Sequence, residues 1–291
     1  RLRLAGPGGP PTVVAMLLGA DRAPLGSEEL GGPAASSELP FVAVGRYLAG
    51  CGLPVPAVYL DASQTDGLLL VEDIGDTTLW AAAAASPAEA ARLFGDAIDL
   101  LVALQVAGAR HPAAACVAFR QRFDARLARW ELEHFVEHGI ETRHGRRLDA
   151  ATRGAILAAL DPLVVPFAAA EPVLAHRDFM AWNIHVQGGR LRLIDFQDAL
   201  LAPDAYDLAA LLTDRTTAAL VTPDLEARLL THFARARSAA GFPAGAELDA
   251  RYRACALHRA LKVIGRFHYL ECVKGKPGYL AYLPSVYAVA R

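Results

Sequence analysis

Lysine is almost missing from this 291-residue chain: Lys262, Lys274 and Lys276 are the only three, and every other strong cation is arginine. No block of one charge sign exists either. The 29 Lys and Arg against 31 Asp and Glu leave a formal net charge of -2. A general nucleic-acid binder needs a basic stripe to displace counterions, so that class is excluded. Cysteine is sparse, and Cys51, Cys116, Cys255 and Cys272 form no C-x-x-C pair. They therefore lack metal-site spacing and do not read as a disulfide framework. Buried, reduced thiols in a cytoplasmic protein are expected. No apolar run approaches the roughly 18 residues that cross a bilayer, and no signal peptide is visible, so no membrane partner is expected. The chain opens at Arg1 in what reads as the middle of a strand, as if sequence preceded it.

What is present is a globular composition, 54% hydrophobic and 21% charged. The length suits one large domain or two unequal lobes. Residues 1–4 alternate polar and apolar, Gly6-Pro7-Gly8-Gly9-Pro10 must turn, and 12–18 is an apolar strand, which together predict a β-hairpin. A Gly/Pro/Ser-rich stretch, 26–37, precedes a helix with Phe41, Val44 and Leu48 at helical spacing, stopping near Gly50-Cys51-Gly52. Two strands follow, 57–60 and 68–71, joined by a turn containing Asp66-Gly67, a favoured hairpin pair. From 79 to 170 the pattern is helical. Ser86-Pro87-Ala88-Glu89 has the form of a capping box opening one helix, with Leu93, Ile98, Leu101 and Leu104 as its buried face. Helices over 119–138 and 150–160 follow, and two or three more fill the chain after Asp204. The fold class is α+β: a small β-rich N-lobe over 1–75, a hinge near 71–75, and a large, mainly helical C-lobe over 76–291.

The chemistry sits between those helices. Leu174-Ala175-His176-Arg177-Asp178-Phe179-Met180-Ala181-Trp182-Asn183 is a polar loop running into a short strand, 184–186. After Gln187-Gly188-Gly189-Arg190, a second strand over 191–194 delivers Asp195 at its end. The hairpin brings Asn183 and Asp195 to the same end of adjacent strands, so residues twelve apart can share one ion. Phosphoryl transfer needs an oriented hydroxyl and a metal that neutralises phosphate charge. Magnesium takes hard oxygen ligands, typically one or two carboxylates plus phosphates. Asp178 can accept or orient the hydroxyl proton, while Asn183 and Asp195 offer oxygens to the metal. At about 1 in 20 per fixed position, H-x-D-x-x-x-x-N arises by accident in a few per cent of such chains. Adding a strand and I-D-F at hairpin distance makes accident far rarer.

H-R-D-F-x-x-x-N followed by I-D-F resembles the catalytic and metal motifs of the protein-kinase-like superfamily, closest to its aminoglycoside phosphotransferase and choline kinase branch. The resemblance implies a bilobal protein-kinase-like fold, ATP as donor and Mg2+ as the ion. It implies Asp178 as catalytic base, Asn183 and Asp195 as magnesium ligands, and His176 as scaffold of the loop. Leu68-Leu69-Leu70-Val71-Glu72-Asp73-Ile74-Gly75 resembles the inter-lobe hinge, where backbone near Glu72 and Ile74 would hold an adenine; Met16 is assigned to the same site. Only residues 196–203 separate Asp195 from the next helix, which leaves no activation segment for a polypeptide substrate. Asp207 near that helix start reads either as a helix cap or as a brace for the catalytic loop. Asp198 reads equally as an acid behind the metal site or as a turn residue.

Two stretches narrow the resemblance: Ile194-Asp195-Phe196-Gln197-Asp198-Ala199 with Tyr206-Asp207-Leu208, and a tail. The tail is Leu261-Lys262-Val263-Ile264-Gly265-Arg266-Phe267, then Gly275-Lys276-Pro277-Gly278-Tyr279-Leu280 and Leu283-Pro284. Together they are similar to the bacterial kinases that phosphorylate N-acetylmuramate and N-acetylglucosamine at C1 in cell-wall recycling. The implied partner is a small sugar, with the protein a monomer or weak dimer. Glu131, Arg177 and Asp198 are the candidate substrate contacts. A polycationic aminoglycoside needs a dense acidic lining, yet 120–147 carries at least as many arginines as acids. The small-lobe lysine of the superfamily is absent: Val14-Ala15-Met16-Leu17 lies in its place. Arg3 and Arg22 are candidate substitutes, and no G-x-G-x-x-G is present. Glu38 reads as a surface residue for want of that lysine. A kinase for an aminoglycoside or choline is the second reading. A nucleotide-binding scaffold is the third; Asp178, Asn183 and Asp195 argue against it, since a scaffold needs no base.

Overall fold

The structure, a computed structural model, describes residues 1–3, 11–18, 38–169, 171–217 and 219–290. The turn expected at residues 6–10, the stretch 26–37 and Arg22 lie outside the described residues. A four-stranded antiparallel sheet comes first, in the order β1-β2-β4-β3. Its strands are β1 (Leu2–Arg3), β2 (Thr12–Leu17), β3 (Val58–Ala62) and β4 (Leu68–Glu72). Val14 faces Val71 and Met16 faces Leu69, so all four share one side of the sheet. The helix α1 (Pro40–Gly50) covers that side through Val42. Its Val44 and Leu48 belong instead to the main core, so α1 is buried on two sides. The β3–β4 connection is five residues long and contains Asp66-Gly67. Gly67, at φ 64°, takes the left-handed conformation that only glycine adopts without cost. Its carbonyl accepts from the N–H of Leu18 at 2.8 Å.

The remainder is mainly helical: α2 (Leu79–Ala85), α3 (Pro87–Arg110), α4 (Ala125–His134), α5 (Ala150–Leu160), α6 (Val165–Ala169), α7 (Tyr206–Leu212), α8 (Pro223–Ala239), α9 (Leu248–His268) and α10 (Leu283–Val289). Two short hairpin-like pairs sit among them. One joins β5 (Val173–Ala175) to β8 (Leu200–Ala202), and the other joins β6 (Ile184–Gln187) to β7 (Arg190–Leu193). Phe94, Ile98, Leu101 and Leu104 of α3 are buried in the main core with Leu174, Phe179, Phe196 and Leu208. Each such side chain stabilises the fold by roughly 1.5–3 kcal/mol. The architecture is therefore a β-rich N-terminal part and a helical remainder, as expected.

Local expectations fare unevenly. The capping box does not form. The Ser86 N–H closes α2 on the carbonyl of Ala82, and Glu89 turns to Arg92 Nε at 2.7 Å. The helix expected from residue 119 begins at Ala125, because Asp124 accepts from the Leu127 N–H at 2.9 Å and fixes the start there. It then runs on as a π-helix, Phe135–Thr142. Cys116 and Cys255 are buried, but Cys51 is half-buried and Cys272 exposed; all four are free thiols. The run Ala150–Ala168 is, by length and composition, apolar enough to cross a membrane, where none was expected. Alanine spreads its hydropathy through a run that Arg153 and Asp161 interrupt. In the fold it is three pieces, α5, a tight turn Asp161–Val164, and α6. Arg153 pairs with Glu141 at 3.1 Å, and Arg129 pairs with Asp161.

Gly108 marks where α3 crosses β5. A Cβ there would lie 2.4 Å from Leu174 Cβ, on the strand that leads into His176. Alanine gains about 1 kcal/mol of helix propensity over glycine, whereas overpacking at such a contact costs about 1–3 kcal/mol. Gly108→Ala should therefore lower the midpoint of a urea melt. A raised midpoint would show that the strand yields and propensity wins.

Candidate active site

The loop after β5 is held by one buried carboxylate. Asp207, in the first turn of α7, accepts the backbone N–H of His176 at 2.6 Å and of Arg177 at 3.0 Å. Burial pushes the Asp207 carboxyl up to about 7, although both N–H groups and Arg259 pull the other way. Arg177 needs this grip, because its φ of 77° is left-handed for a non-glycine residue. His176 is buried, and burial lowers its pKa, so the ring is neutral. Its Nε2–H donates to the Ile194 carbonyl at 2.8 Å, tying the loop to the exit of β7.

Asp178 follows, its side chain still 40% accessible, with Arg259 Nη2 3.6 Å from Oδ1. Burial alone would raise its pKa. The charges of Arg259, Lys262 and Arg177 outweigh that and hold it below the usual carboxylate range. Asp178 is thus an ionised acceptor at neutral pH.

The loop closes on itself. The Asn183 N–H donates to Met180 O at 2.9 Å, and its Nδ2 donates to Asp178 O at 2.9 Å and lies 3.3 Å from Asp195 Oδ2. Gly188 and Gly189, at φ 56° and 77°, make the tight β6–β7 turn. The register pairs Ile184 with Leu193, which sets Asn183 and Asp195 at one end of the hairpin. Asp195 itself sits at φ 64°, and Gln197 Nε2 donates to its Oδ1 at 2.8 Å. Arg177 and Asp195 are the two left-handed non-glycine residues among those described, and both flank this site.

The donor set fits magnesium. With the Asn183 Nδ2 turned to the Asp178 carbonyl, its amide oxygen and the Asp195 carboxylate offer two hard oxygens. No cage of three or more His, Cys, Asp or Glu exists among the described residues. The rest of the shell falls to phosphate oxygens and water, the usual arrangement for this ion.

The other candidates are placed less uniformly. Glu72 forms a two-pronged pair with Arg192, at 2.8 and 2.5 Å, which holds its carboxyl low, and its N–H donates to Ala57 O at 2.8 Å. Ile74 is buried beside it. The carbonyls of Asp73 and Gly75 accept from Gln187 and the His185 ring, so the segment expected as the hinge is stitched to β6. Met16 packs with Val42, Leu69 and Val71 on the α1 side of the sheet, away from the side shared by Ala15 and Leu17. Leu17 is 80% exposed, and β2 carries no cation. Arg3 is exposed, and Glu38 pairs with Arg46. Glu131, expected at the sugar site, is 1% exposed on α4 and paired with Lys262 Nζ at 2.8 Å, with His258 Nδ1 3.8 Å away. A buried ion pair does not offer that carboxylate to a ligand. Arg177 is likewise buried, and Asp198 lies half-buried in the turn after Phe196.

Sequence reasoning missed Arg259 and Lys262, which α9 brings beside Asp178. The signal was there: one of three lysines, three residues after an arginine, on an otherwise apolar stretch. It also missed the pairing of Trp80 with Trp182, whose ring centroids are 4.7 Å apart.

Residues 28–253 match the model of the phosphotransferase enzyme family. The chain belongs to that family. An N-acetylmuramate/N-acetylglucosamine kinase from Pseudomonas putida is 34% identical to this phosphotransferase over 255 residues, spanning 86% of this chain and 71% of the relative. One from Caulobacter vibrioides is 31% identical over 289 residues, spanning 92% and 74%. The gentamicin complex of APH(2″)-IIa shares the fold with a TM-score of 0.60 at 18% identity, covering 85% of this chain and 79% of that one.

The buried titrating groups give the phosphotransferase a signed pH dependence. Burial lowers the pKa of His138, His176, His258 and His268, so as pH falls below about 6.5 the unfolded chain takes up protons that the folded rings resist. Each such ring removes up to about 1.4 kcal/mol of stability per pH unit as pH falls. Asp207, raised to about 7, acts in the opposite sense and offsets one ring between about pH 7 and 4. Urea melts should therefore show a net loss of stability from pH 6.5 to 5. A flat or rising profile would show that the rings protonate within the fold.

Proposed function

We propose that this phosphotransferase is an ATP-dependent amino-sugar kinase, moving the γ-phosphoryl group to the anomeric C1 hydroxyl of N-acetylmuramate or N-acetylglucosamine. One observation carries the reading. Asp178, Asn183 and Asp195 converge on one braced loop and hairpin, in a chain about a third identical along most of its length to kinases of those two sugars.

The residues divide the work by chemistry. Asp178 is ionised, partly accessible and fixed by the loop, so it can align the attacking hydroxyl and take its proton. An anomeric hydroxyl is more acidic than an ordinary alcohol, which suits a carboxylate of low basicity. Arg259 and Lys262 place positive charge beside the base, and that field favours the anionic phosphoryl group in transit. Magnesium on Asn183 and Asp195 would neutralise charge on the phosphate oxygens. The mixed charge of residues 120–147 suits a neutral or singly acidic sugar better than a polycation. Use of ATP places the reaction in the cytoplasm.

The test is a coupled ATP-consumption assay with magnesium, offering N-acetylmuramate, N-acetylglucosamine, choline and kanamycin. Turnover should appear with the N-acetyl sugars and fall at least about 100-fold in Asp178→Asn, with nucleotide affinity retained. NMR of the product should place the phosphate on C1. Turnover confined to choline or kanamycin would replace the acceptor, and full activity in Asp178→Asn would remove the base.

A further inference from the structure

Two of the chain's three tryptophans are stacked beside the reacting loop. Trp182 stands four residues after Asp178 and one before Asn183, between Ala181 and Ile184, each wholly buried or nearly so. Trp182 itself is 37% exposed. The turn presents Trp182 to solvent together with the partly accessible Asp178 and Asn183, while Phe179 and Ala181 point into the core.

The indole is not loose. Trp80 covers one of its faces, with centroids 4.7 Å apart and planes 16° from parallel. Its Nε1–H donates to Thr216 Oγ1 at 2.8 Å, and the Thr216 hydroxyl donates in turn to Asp214 Oδ2 at 2.8 Å. The Trp80 indole N–H also ends on Thr216, at its carbonyl, 3.1 Å away. The Trp80 backbone N–H is anchored on the carbonyl of Ala181, next to Trp182. Arg259 lies 3.6 Å from Asp178, and the charges of Asp178 and Asp214 both raise its pKa. Trp182 is thus anchored on a Thr216–Asp214 pair that faces the same arginine as Asp178.

The chemistry of that spot follows from what is already used. Trp80 takes one face of Trp182 and Thr216 takes its only polar atom. The accessible area is therefore the other face and its edge, a π surface with no donor or acceptor to offer. Such a surface fits the apolar C–H face of a pyranose. It fits a quaternary ammonium less well, because those heads are enclosed by several aromatic faces rather than one.

We infer that Trp182 is a specificity-determining residue, the platform on which the acceptor's pyranose ring stacks while Asp178 meets its hydroxyl. The inference rests on the amino-sugar-kinase reading and goes beyond it by naming the surface that holds the sugar. Trp80 and the Thr216–Asp214 pair are positioning residues that keep the platform still.

The experiment compares wild type, Trp182→Phe and Trp182→Ala in steady-state kinetics with N-acetylglucosamine and ATP varied separately. Trp182→Ala should raise the acceptor KM roughly five- to tenfold, with the ATP KM within about twofold, and Trp182→Phe should recover most of the loss. An acceptor KM unchanged in Trp182→Ala, or both KM values rising together, overturns the platform while leaving the activity standing. Absence of wild-type turnover on N-acetyl sugars overturns the activity reading itself. Fluorescence keeps the inference testable if Trp182→Ala does not fold. In a Trp130→Phe background the emission comes from the stacked pair alone, and N-acetylglucosamine without nucleotide should change it. A signal retained after adding Trp182→Phe would place the sugar elsewhere.

Discussion

The hydrogen bonds from the His176 and Arg177 backbone to the buried Asp207 carboxylate are the constraint on which the site depends. A non-glycine residue at φ 77° costs on the order of 1–3 kcal/mol, and nothing in the local sequence repays it. Two hydrogen bonds to a side chain rooted in α7 do, at roughly 0.5–1.5 kcal/mol each. Reversing the chain at Arg177 is what leaves Asp178 facing outward while Phe179 goes into the core. The carboxylate is paid back in kind, since those N–H groups and Arg259 are what oppose its burial.

The β6–β7 hairpin carries this order to the β-rich part. One of its ends presents Asn183 and Asp195, and β7 sends Arg192 to Glu72 and to the Val55 carbonyl at 3.0 Å. His185 and Val186 bond to Gly75 and Thr77 of the neighbouring segment. On the other side Phe196, the residue after Asp195, stacks on Phe41 of α1 with centroids 5.0 Å apart. Gly45 permits the approach, since a Cβ there would already be 3.1 Å from the Phe196 ring. The candidate metal ligands therefore sit between two fixed points on the β-rich part, rather than on a free loop.

What was legible in the sequence was what depends on near neighbours. The hairpin was readable because Gly188-Gly189 forces the turn and two short apolar runs flank it, so Asn183 and Asp195 could be paired from spacing alone. The order of strands and α1 was readable for the same reason. Asp207 was left between cap and brace because its partners lie some thirty residues away. The capping box failed over one atom: the Ser86 N–H was already committed to α2. Glu131 misled because an acid on an amphipathic helix looks like a ligand until its partner, Lys262, arrives from α9, 131 residues later. Met16 lies on the α1 side of its strand with Ala15 and Leu17 on the other, a distinction of one residue that a period of two makes and the sequence alone does not orient.

The scarcity of lysine bears on how the site carries charge. Most arginines with assigned partners are committed away from the reacting loop: Arg1 to Asp73 and Asp76, Arg192 to Glu72, Arg251 to Asp204. The exposed Arg1–Asp76 pair contributes about 0–1 kcal/mol, while Arg192 and Arg251 are largely withdrawn from water and staple the fold locally. Arg259 and Lys262 are withdrawn to a similar degree and differ in that both act on Asp178. Their charge is screened far less than that of a surface cation. Where β2 ends in an exposed leucine, fixed positive charge near Asp178 comes from α9. The same helix supplies the counter-charge for Glu131 and a second anchor for the strained loop, with Arg259 lying 3.5 Å from the Arg177 carbonyl. Positioning Asp178 and charging its surroundings are thus one structural act, performed by α9 and α7 together.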